Sequence, residues 1–317
     1  MMDFFNSLFS SLPSAIAQGL IWGIMAIGLY ITYKILDFAD LTVDGSITLG
    51  GCVCVKMLTE GYNIWICLLI AICSGALAGL LTGVLHTLMG IPPILSGILT
   101  QLMLWSINSE ILGGKSNIST VGNASSKVLI SSAIDDRLKT LLIIGAFIVG
   151  LIVLLYLFFG TEAGCTLRAT GNNEQMVKAQ GVNVKANKIL GLMLSNALVA
   201  LAGALWAQYQ GSADINMGRG AIVIGLAAII IGQTLVGFIG RNFALKLFGC
   251  TLGGVCYYIV YQLVSLCGLA TIWLKFLSAV VVAVFLAIPY IKKEYFSRPH
   301  KESPIKQPSE QGEENHA

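Results

Sequence analysis

Three acids and one basic island are the residues of this chain whose type and placement offer chemistry. Asp40, Asp44 and Asp214 each stand beside a long apolar run. A carboxylate there can accept backbone N–H bonds at a helix start, where the helix dipole favours negative charge. It can instead relay protons, which calls for acids deep in a membrane bundle with partners at hand. All three lie near expected helix ends and lack evident ionisable partners, so capping is the favoured reading and a proton-coupled carrier is disfavoured. Catalytic constellations are missing. There is no G-x-x-x-x-G-K-[ST] loop to cradle nucleotide phosphates, no H-E-x-x-H and no G-x-S-x-G. The eight cysteines lie mostly within or beside apolar runs, and Cys52-Val-Cys54 lacks the two-residue spacer of a zinc or redox pair. His86 stands alone in apolar sequence, so no metal site and no cofactor are expected.

The basic island covers residues 162–188 and reads EAGCTLRATGNNEQMVKAQGVNVKANK, between the apolar runs 141–159 and 189–207. A polar segment the length of two short helices, set between two membrane spans, must lie outside the lipid. Arg168 and Asn172 are four residues apart, on one face of a helix. Ala169, Gly171, Ala179 and Gly181 are small enough for another surface to approach the backbone. Two readings stand at this point: a helix docked in a groove of a partner, or an amphipathic connector resting on the membrane surface.

The elements that must position these residues follow from composition. Of 317 residues, 56% are hydrophobic and only 11% charged, and the mean hydropathy is +0.81. Soluble domains carry about 25% charged residues, so the chain is expected to be an all-α polytopic membrane protein. A net charge of +3 gives no sign of a nucleic-acid partner. Spans are expected near 13–33, 42–58, 63–86, 92–112, 140–159, 188–208, 220–240, 243–266 and 271–291, eight or nine in all. The second contains Thr42, Asp44, Ser46 and Thr48, and the fourth opens on Pro92-Pro93 and carries Gln101, Asn108 and Glu110. Either is a candidate broken or re-entrant segment. The first 14 residues carry Asp3 and no Lys or Arg, so the first run is expected to remain a span rather than serve as a signal peptide.

Cytoplasmic loops are enriched in Lys and Arg. Nine spans with the island inside place 12 of the 19 basic residues inside. The N-terminus then lies outside and the C-terminus inside. Residues 1–291 form the membrane domain, with the island (160–188) as its main cytoplasmic segment. Residues 292–317 are too polar to bury a core and read as a disordered cytoplasmic tail. The outer connection 113–139 is either a landing surface for an external partner or a solvated connector.

One internal echo bears on the architecture. Ala39-Asp40-Leu41-Thr42-Val43-Asp44-Gly45 resembles Ala213-Asp214-Ile215-Asn216-Met217-Gly218-Arg219-Gly220, and each follows a span. The first falls inside and the second outside, as an inverted repeat requires.

Two stretches then carry a family likeness. Thr166-Leu167-Arg168-Ala169-Thr170-Gly171-Asn172, with Ala179-Gln180-Gly181-Val182 and the small-residue helix 197–203, resembles the cytoplasmic coupling segment of ATP-binding-cassette (ABC) importer permeases of the branched-chain amino-acid and sugar type. Tyr33-Lys34 followed by Asp37 to Gly45 is similar to that family's first-helix exit, and the D-L-T-V-D-G form resembles a subgroup linked to tryptophan or other aromatic amino acids. The longer Glu-Ala-Ala signature of other importer classes is not present in full. The resemblance implies a permease subunit in the bacterial plasma membrane that moves a small solute, an amino acid, into the cell. It implies three partners: an ATPase subunit on the cytoplasmic face, an extracytoplasmic binding protein and a second permease copy. It also implies that Glu162, Arg168, Ala169, Gly171, Asn172, Ala179 and Gly181 belong to the ATPase-coupling element. Helix breaks are tolerated where they line a water-filled path. Thr42, Asp44, Ser46, Pro92, Pro93, Ser96, Thr100, Gln101 and Asn108 are therefore path candidates, with ordinary helix packing as the competing role. A secondary carrier needing no ATPase is the alternative function, and a membrane-embedded enzyme is a weaker one.

Overall fold

The computed structural model describes residues 2–120, 129–130, 137–236, 242–266 and the single positions 276, 279, 280, 283 and 287, with side chains from Ser11 onward. The expected tail 292–317, much of the 113–139 connection and most of the expected span 271–291 lie outside the described residues. Among the described residues ten α-helices can be bounded: α1 (Met2–Tyr30), α2 (Val43–Thr59), α3 (Ile64–Thr87), α4 (Pro93–Ile111), α5 (Arg137–Gly160), α6 (Glu162–Asn172), α7 (Glu174–Ala179), α8 (Val184–Gln210), α9 (Ala221–Val236) and α10 (Phe243–Leu266). A one-turn π-helix, Ile31–Ile35, ends α1. Two three-residue strands, β1 (Asn117–Ser119) and β2 (Ser212–Asp214), pair antiparallel. The chain is an all-α polytopic membrane protein. Among the described residues, five helical segments are long and apolar enough to span a bilayer: Ser11–Ile35, Ile64–Thr87, Lys139–Gly160, Val184–Gln210 and Phe243–Leu266.

α2 and α9 are shorter, at 17 and 16 residues. At 1.5 Å per residue they reach about 24–26 Å, less than the ~30 Å hydrocarbon core. The break expected within 42–58 lies ahead of that segment: the chain leaves the π-helix and passes Asp37 at φ 52°, and α2 then runs unbroken from Val43 to Thr59. The other expected break is absent. α4 runs without interruption, with Pro92 as its N-cap and Pro93 in its first turn. Proline is tolerated there because those N–H groups have no intrahelical acceptor in any case. The prolines begin this helix and do not kink it.

Small residues decide which helices meet. α8 packs most extensively on α3, and α1 on α10. Gly75, Gly79 and Gly83 form a ridge at four-residue spacing on α3, and a Cβ at Gly79 would overlap the Leu192 carbonyl of α8. On the other seam a Cβ at Gly23 would come within 2.8 Å of the Thr251 Cα. Close backbone approach through small residues is how membrane helices gain contact when hydrophobicity gives no preference for protein over lipid. The echoed motifs pair α1 with α8 and α3 with α10, so the two seams exchange under the expected repeat.

The echo itself has matching local geometry. Asp40 Oδ1 accepts the Thr42 N–H at 2.9 Å, and Asp214 Oδ1 accepts the Asn216 N–H at 2.7 Å. Each is the same two-residue Asx turn leading into a short helix.

Candidate functional site

The first half of the site is the junction of the two short helices. Asp44 stands in the first turn of α2, yet it caps a different helix. Its Oδ2 accepts the Gly220 N–H at 3.0 Å and its Oδ1 accepts the Ile222 N–H at 2.9 Å, at the start of α9. Thr48 Oγ1 adds the Gly218 N–H at 3.1 Å. The carboxylate thus satisfies orphan amides and faces the positive end of α9. Asp40 is anchored at a similar depth: its Oδ2 accepts from Asn196 Nδ2 at 2.7 Å, near the middle of the 27-residue α8. Ser46 Oγ donates to Asn196 Oδ1 at 2.6 Å, which completes that amide.

Four path candidates are interior. Thr42 Oγ1 and Thr82 Oγ1 share a hydrogen bond of 2.8 Å, Thr82 donates to Thr100 Oγ1 at 3.0 Å, and Thr100 donates to the Ser96 carbonyl at 3.0 Å. Thr42, Ser46, Ser96 and Thr100 are all buried. Their hydroxyls tie the re-entrant segment to α3, α4 and α8, and they line no described cavity. Pro92 and Pro93 begin α4 and also stand away from the cavities.

Three other candidates do come together. Asp44, Gln101 and Asn108 line a cavity of about 350 Å³ between α2, α4 and the 215–219 connection. Asn108 Nδ2 donates to the Gly45 carbonyl at 3.4 Å, while its buried Oδ1 has no partner among the described residues. Thr48, Trp105, Asn216 and Arg219 complete the polar and aromatic wall. Thr48 and Trp105 fall within the two segments expected to line the path, though neither was a named candidate, whereas Asn216 and Arg219 lie outside those segments. Arg219 and Asn216 were visible as part of the echoed motif, whereas Trp105 carried no signal beyond its place on α4.

The second half is the basic island, which forms two helices, α6 and α7. Their starts are set by side-chain caps: Thr161 Oγ1 accepts from the Gly164 N–H at 3.4 Å and Asn173 Oδ1 from the Met176 N–H at 3.0 Å. Asn183 caps α8 in the same way, at 3.2 Å from the Ala186 N. Gly164, Leu167, Thr170 and Val177 are buried against the membrane domain. Glu162, Asn172, Ala179 and Gly181 are exposed, while Ala169 and Gly171 are half-buried.

Two of the predicted coupling residues reach back into the fold. Arg168 donates from a guanidinium nitrogen to the Phe159 carbonyl. Its guanidinium also lies 5.3 Å from the Phe159 ring centre and 4.7 Å from that of Phe243. A Cβ at Gly171 would overlap the Ile35 carbonyl of the π-helix. The two residues bind α6 to the ends of α1, α5 and α10. Beside them opens a cavity of about 750 Å³, lined in part by Lys34, Asp37, Arg168, Asn172 and Lys246. Lys34, Arg168 and Lys246, which are among the 12 basic residues that the nine-span arrangement puts inside, border this one recess.

Comparison with known proteins bears on this arrangement. Residues 11–288 match the family described as the permease component of branched-chain amino acid transport systems. The chain belongs to that permease family. It is 44% identical over 279 residues to a tyrosine transport system permease protein of Clostridioides difficile (strain R20291), covering 88% of this chain and 91% of that protein. A ribose import permease protein of Escherichia coli (strain K12) is 25% identical over 89% of this chain and 85% of its own length. Among solved structures, PsaBC from Streptococcus pneumoniae in complex with Fab matches with a TM-score of 0.53 at 17% identity, covering 92% of this chain and 95% of that one. That likeness concerns the fold alone. The permease family is a transport class and not an enzyme class. Both halves of the site lie within the matched residues: the junction of α2 and α9 with its cavity, and the capped pair α6–α7.

Proposed function

We propose that this chain is the membrane subunit of an ABC importer in a bacterial plasma membrane, moving an amino acid inward with energy from a separate ATPase. The observation that carries the proposal is α6–α7: two capped polar helices, fixed to the membrane domain on one side and exposed on the other, in a permease with no phosphate-binding loop of its own. The 44% identity to a tyrosine transport system permease supports an amino acid as the solute. The charge pattern places α6–α7 in the cytoplasm, with the β1–β2 pair facing an external binding protein. The ATPase docks on the exposed face that includes Glu162, Asn172, Ala179 and Gly181. Arg168, Ala169 and Gly171 seat the element and transmit its movement to the ends of α1, α5 and α10. A second permease copy completes the pore. The cavity at Asp44, Gln101 and Asn108 lies on the solute path.

The test is to co-express the chain with an ABC ATPase subunit from the same genome and follow amide exchange across residues 160–188. Protection of α6–α7 on complex formation, with wild-type exchange elsewhere, is the expected result. An ATPase that fails to co-purify, together with uptake driven by an ion gradient alone, would favour the secondary-carrier reading instead.

A further inference from the structure

A second cavity, of about 560 Å³, lies between α1, α8, α9 and α10, and Ala279 borders it. Its volume is within the range of small-molecule sites, about 300–1,000 Å³. Trp22, Trp206, Tyr257, Tyr258 and Tyr261 line it. Their rings form one connected cluster: Trp22 meets Trp206 edge-on at 5.7 Å and Tyr258 at 5.8 Å, and Tyr258 meets Tyr257 at 5.6 Å and Tyr261 at 5.9 Å. Packing between helices asks only for complementary apolar shape. Five aromatic side chains with polar tips around an open volume provide ring faces together with hydrogen-bonding groups.

The polar groups at the rim are of both signs. Arg219 lines this cavity and also the one at Asp44, so it stands between the two. It is exposed, and its guanidinium has no hydrogen-bond or ion-pair partner among the described residues. Asp214 lines the same cavity. Its Oδ1 serves the Asx turn, and its Oδ2 has no partner among the described residues. Trp22 is 5% exposed, and its buried Nε1–H has no acceptor among the described residues. A buried donor without an acceptor costs about 1–3 kcal/mol, a cost relieved when a ligand oxygen reaches it.

We infer that this cavity is a binding site for a zwitterionic aromatic amino acid. The ligand ring packs among Trp22, Trp206 and Tyr258. Arg219 takes the α-carboxylate in its guanidinium fork and Asp214 faces the α-ammonium. The Trp22 indole N–H supplies a donor to a ring hydroxyl, which favours tyrosine over phenylalanine. Because Arg219 borders both cavities, the same guanidinium can hold the carboxylate as the solute passes towards Asp44. The inference deepens the importer reading and rests on it in one respect, that solute enters this chain.

The test is calorimetric titration of the full-length permease in lipid nanodiscs with L-tyrosine, L-phenylalanine, L-leucine and tyramine. L-Tyrosine is expected to bind at least tenfold more tightly than L-leucine and than tyramine, which lacks the carboxylate. Arg219→Gln is expected to erase the difference between tyrosine and tyramine, and Arg219→Lys to restore part of it. Trp22→Phe is expected to erase the preference for tyrosine over phenylalanine while both still bind. Equal affinity for tyrosine and leucine, or an Arg219→Gln variant that still separates tyrosine from tyramine, overturns the inference. ATPase association and ATP-driven uptake are measured on the same preparation. Uptake of a non-aromatic solute without aromatic binding sinks this site and leaves the importer reading standing. Aromatic binding without ATPase association supports the site and sinks the importer reading.

Discussion

Replacing Asp44 by asparagine should loosen the start of α9. The wild-type carboxylate accepts two backbone N–H groups there, from Gly220 at 3.0 Å and Ile222 at 2.9 Å. The amide keeps one acceptor oxygen and loses the charge. One hydrogen bond to a charged group contributes about 1.5–3 kcal/mol. A charge at the positive end of a helix adds up to about 2 kcal/mol in a partly buried setting. The two effects overlap, so a loss of about 2–4 kcal/mol in local opening energy is expected. At about 1.4 kcal/mol per tenfold, amide exchange at 220–222 should quicken by roughly 30-fold to 1,000-fold. The assay is hydrogen–deuterium exchange of the permease in nanodiscs, with Glu60→Gln as a control. Among the described residues Glu60 pairs with Lys56 at an exposed helix end, where an ion pair contributes roughly 0–1 kcal/mol. If Asp44→Asn exchanges at 220–222 within threefold of wild type, the carboxylate is not what holds the two short helices together, and the account of the junction fails.

Other expectations follow from the seams and caps. Gly79→Ala should cost about 1–3 kcal/mol by overlapping the Leu192 carbonyl, whereas Gly145→Ala, with nothing within 4 Å of the added carbon, should be neutral or stabilising; thermal denaturation in detergent separates them. Asn173→Ala removes the cap of α7 and should lower its local stability by about 1 kcal/mol, read as faster exchange at 174–179 and weaker stimulation of the ATPase, with spans unaltered. Arg168→Met should abolish ATPase stimulation while the permease still folds and binds the ATPase, because the exposed docking face remains and only its tie to Phe159 and Phe243 is lost; intact stimulation would remove Arg168 from the coupling path. Single cysteines at Lys115 and Lys185 should react with membrane-impermeant reagents from opposite sides, and labelling of both from outside would contradict the orientation.

Much of the scaffold could be read from local pattern. The 24-residue α3 is an apolar run with Asn63 as its cap, and nothing distant is needed to place it. Thr161, Asn173 and Asn183 each bond an amide two or three residues ahead in the chain, so α6, α7 and α8 could be divided from the sequence. The Asx turns at Asp40 and Asp214 are local as well, and for that reason the echo could be seen. What could not be read were partners far apart in sequence. Asp44 had the profile of a residue capping its own helix, but its amides come from residues 176 and 178 positions away. Arg168, in a polar island, had the profile of a surface cation; the rings that hold it belong to the end of α5 and the start of α10. The hydroxyls of Thr42 and Thr100 mark a helix break or a packing contact equally well until Thr82 is found between them. The aromatic cluster at Trp22, Trp206 and Tyr258 has no sequence spacing at all, because it is assembled from three helices.

The central claim is that this permease imports an amino acid with energy from a separate ATPase that engages α6–α7. The direct measurement is uptake of labelled L-tyrosine into proteoliposomes holding the permease and its ATPase, with the binding protein outside and ATP trapped inside. The account predicts uptake that requires ATP and the binding protein, persists when ion gradients are collapsed and disappears in the Arg168→Met permease. Uptake that runs without the ATPase on a proton or sodium gradient would contradict it.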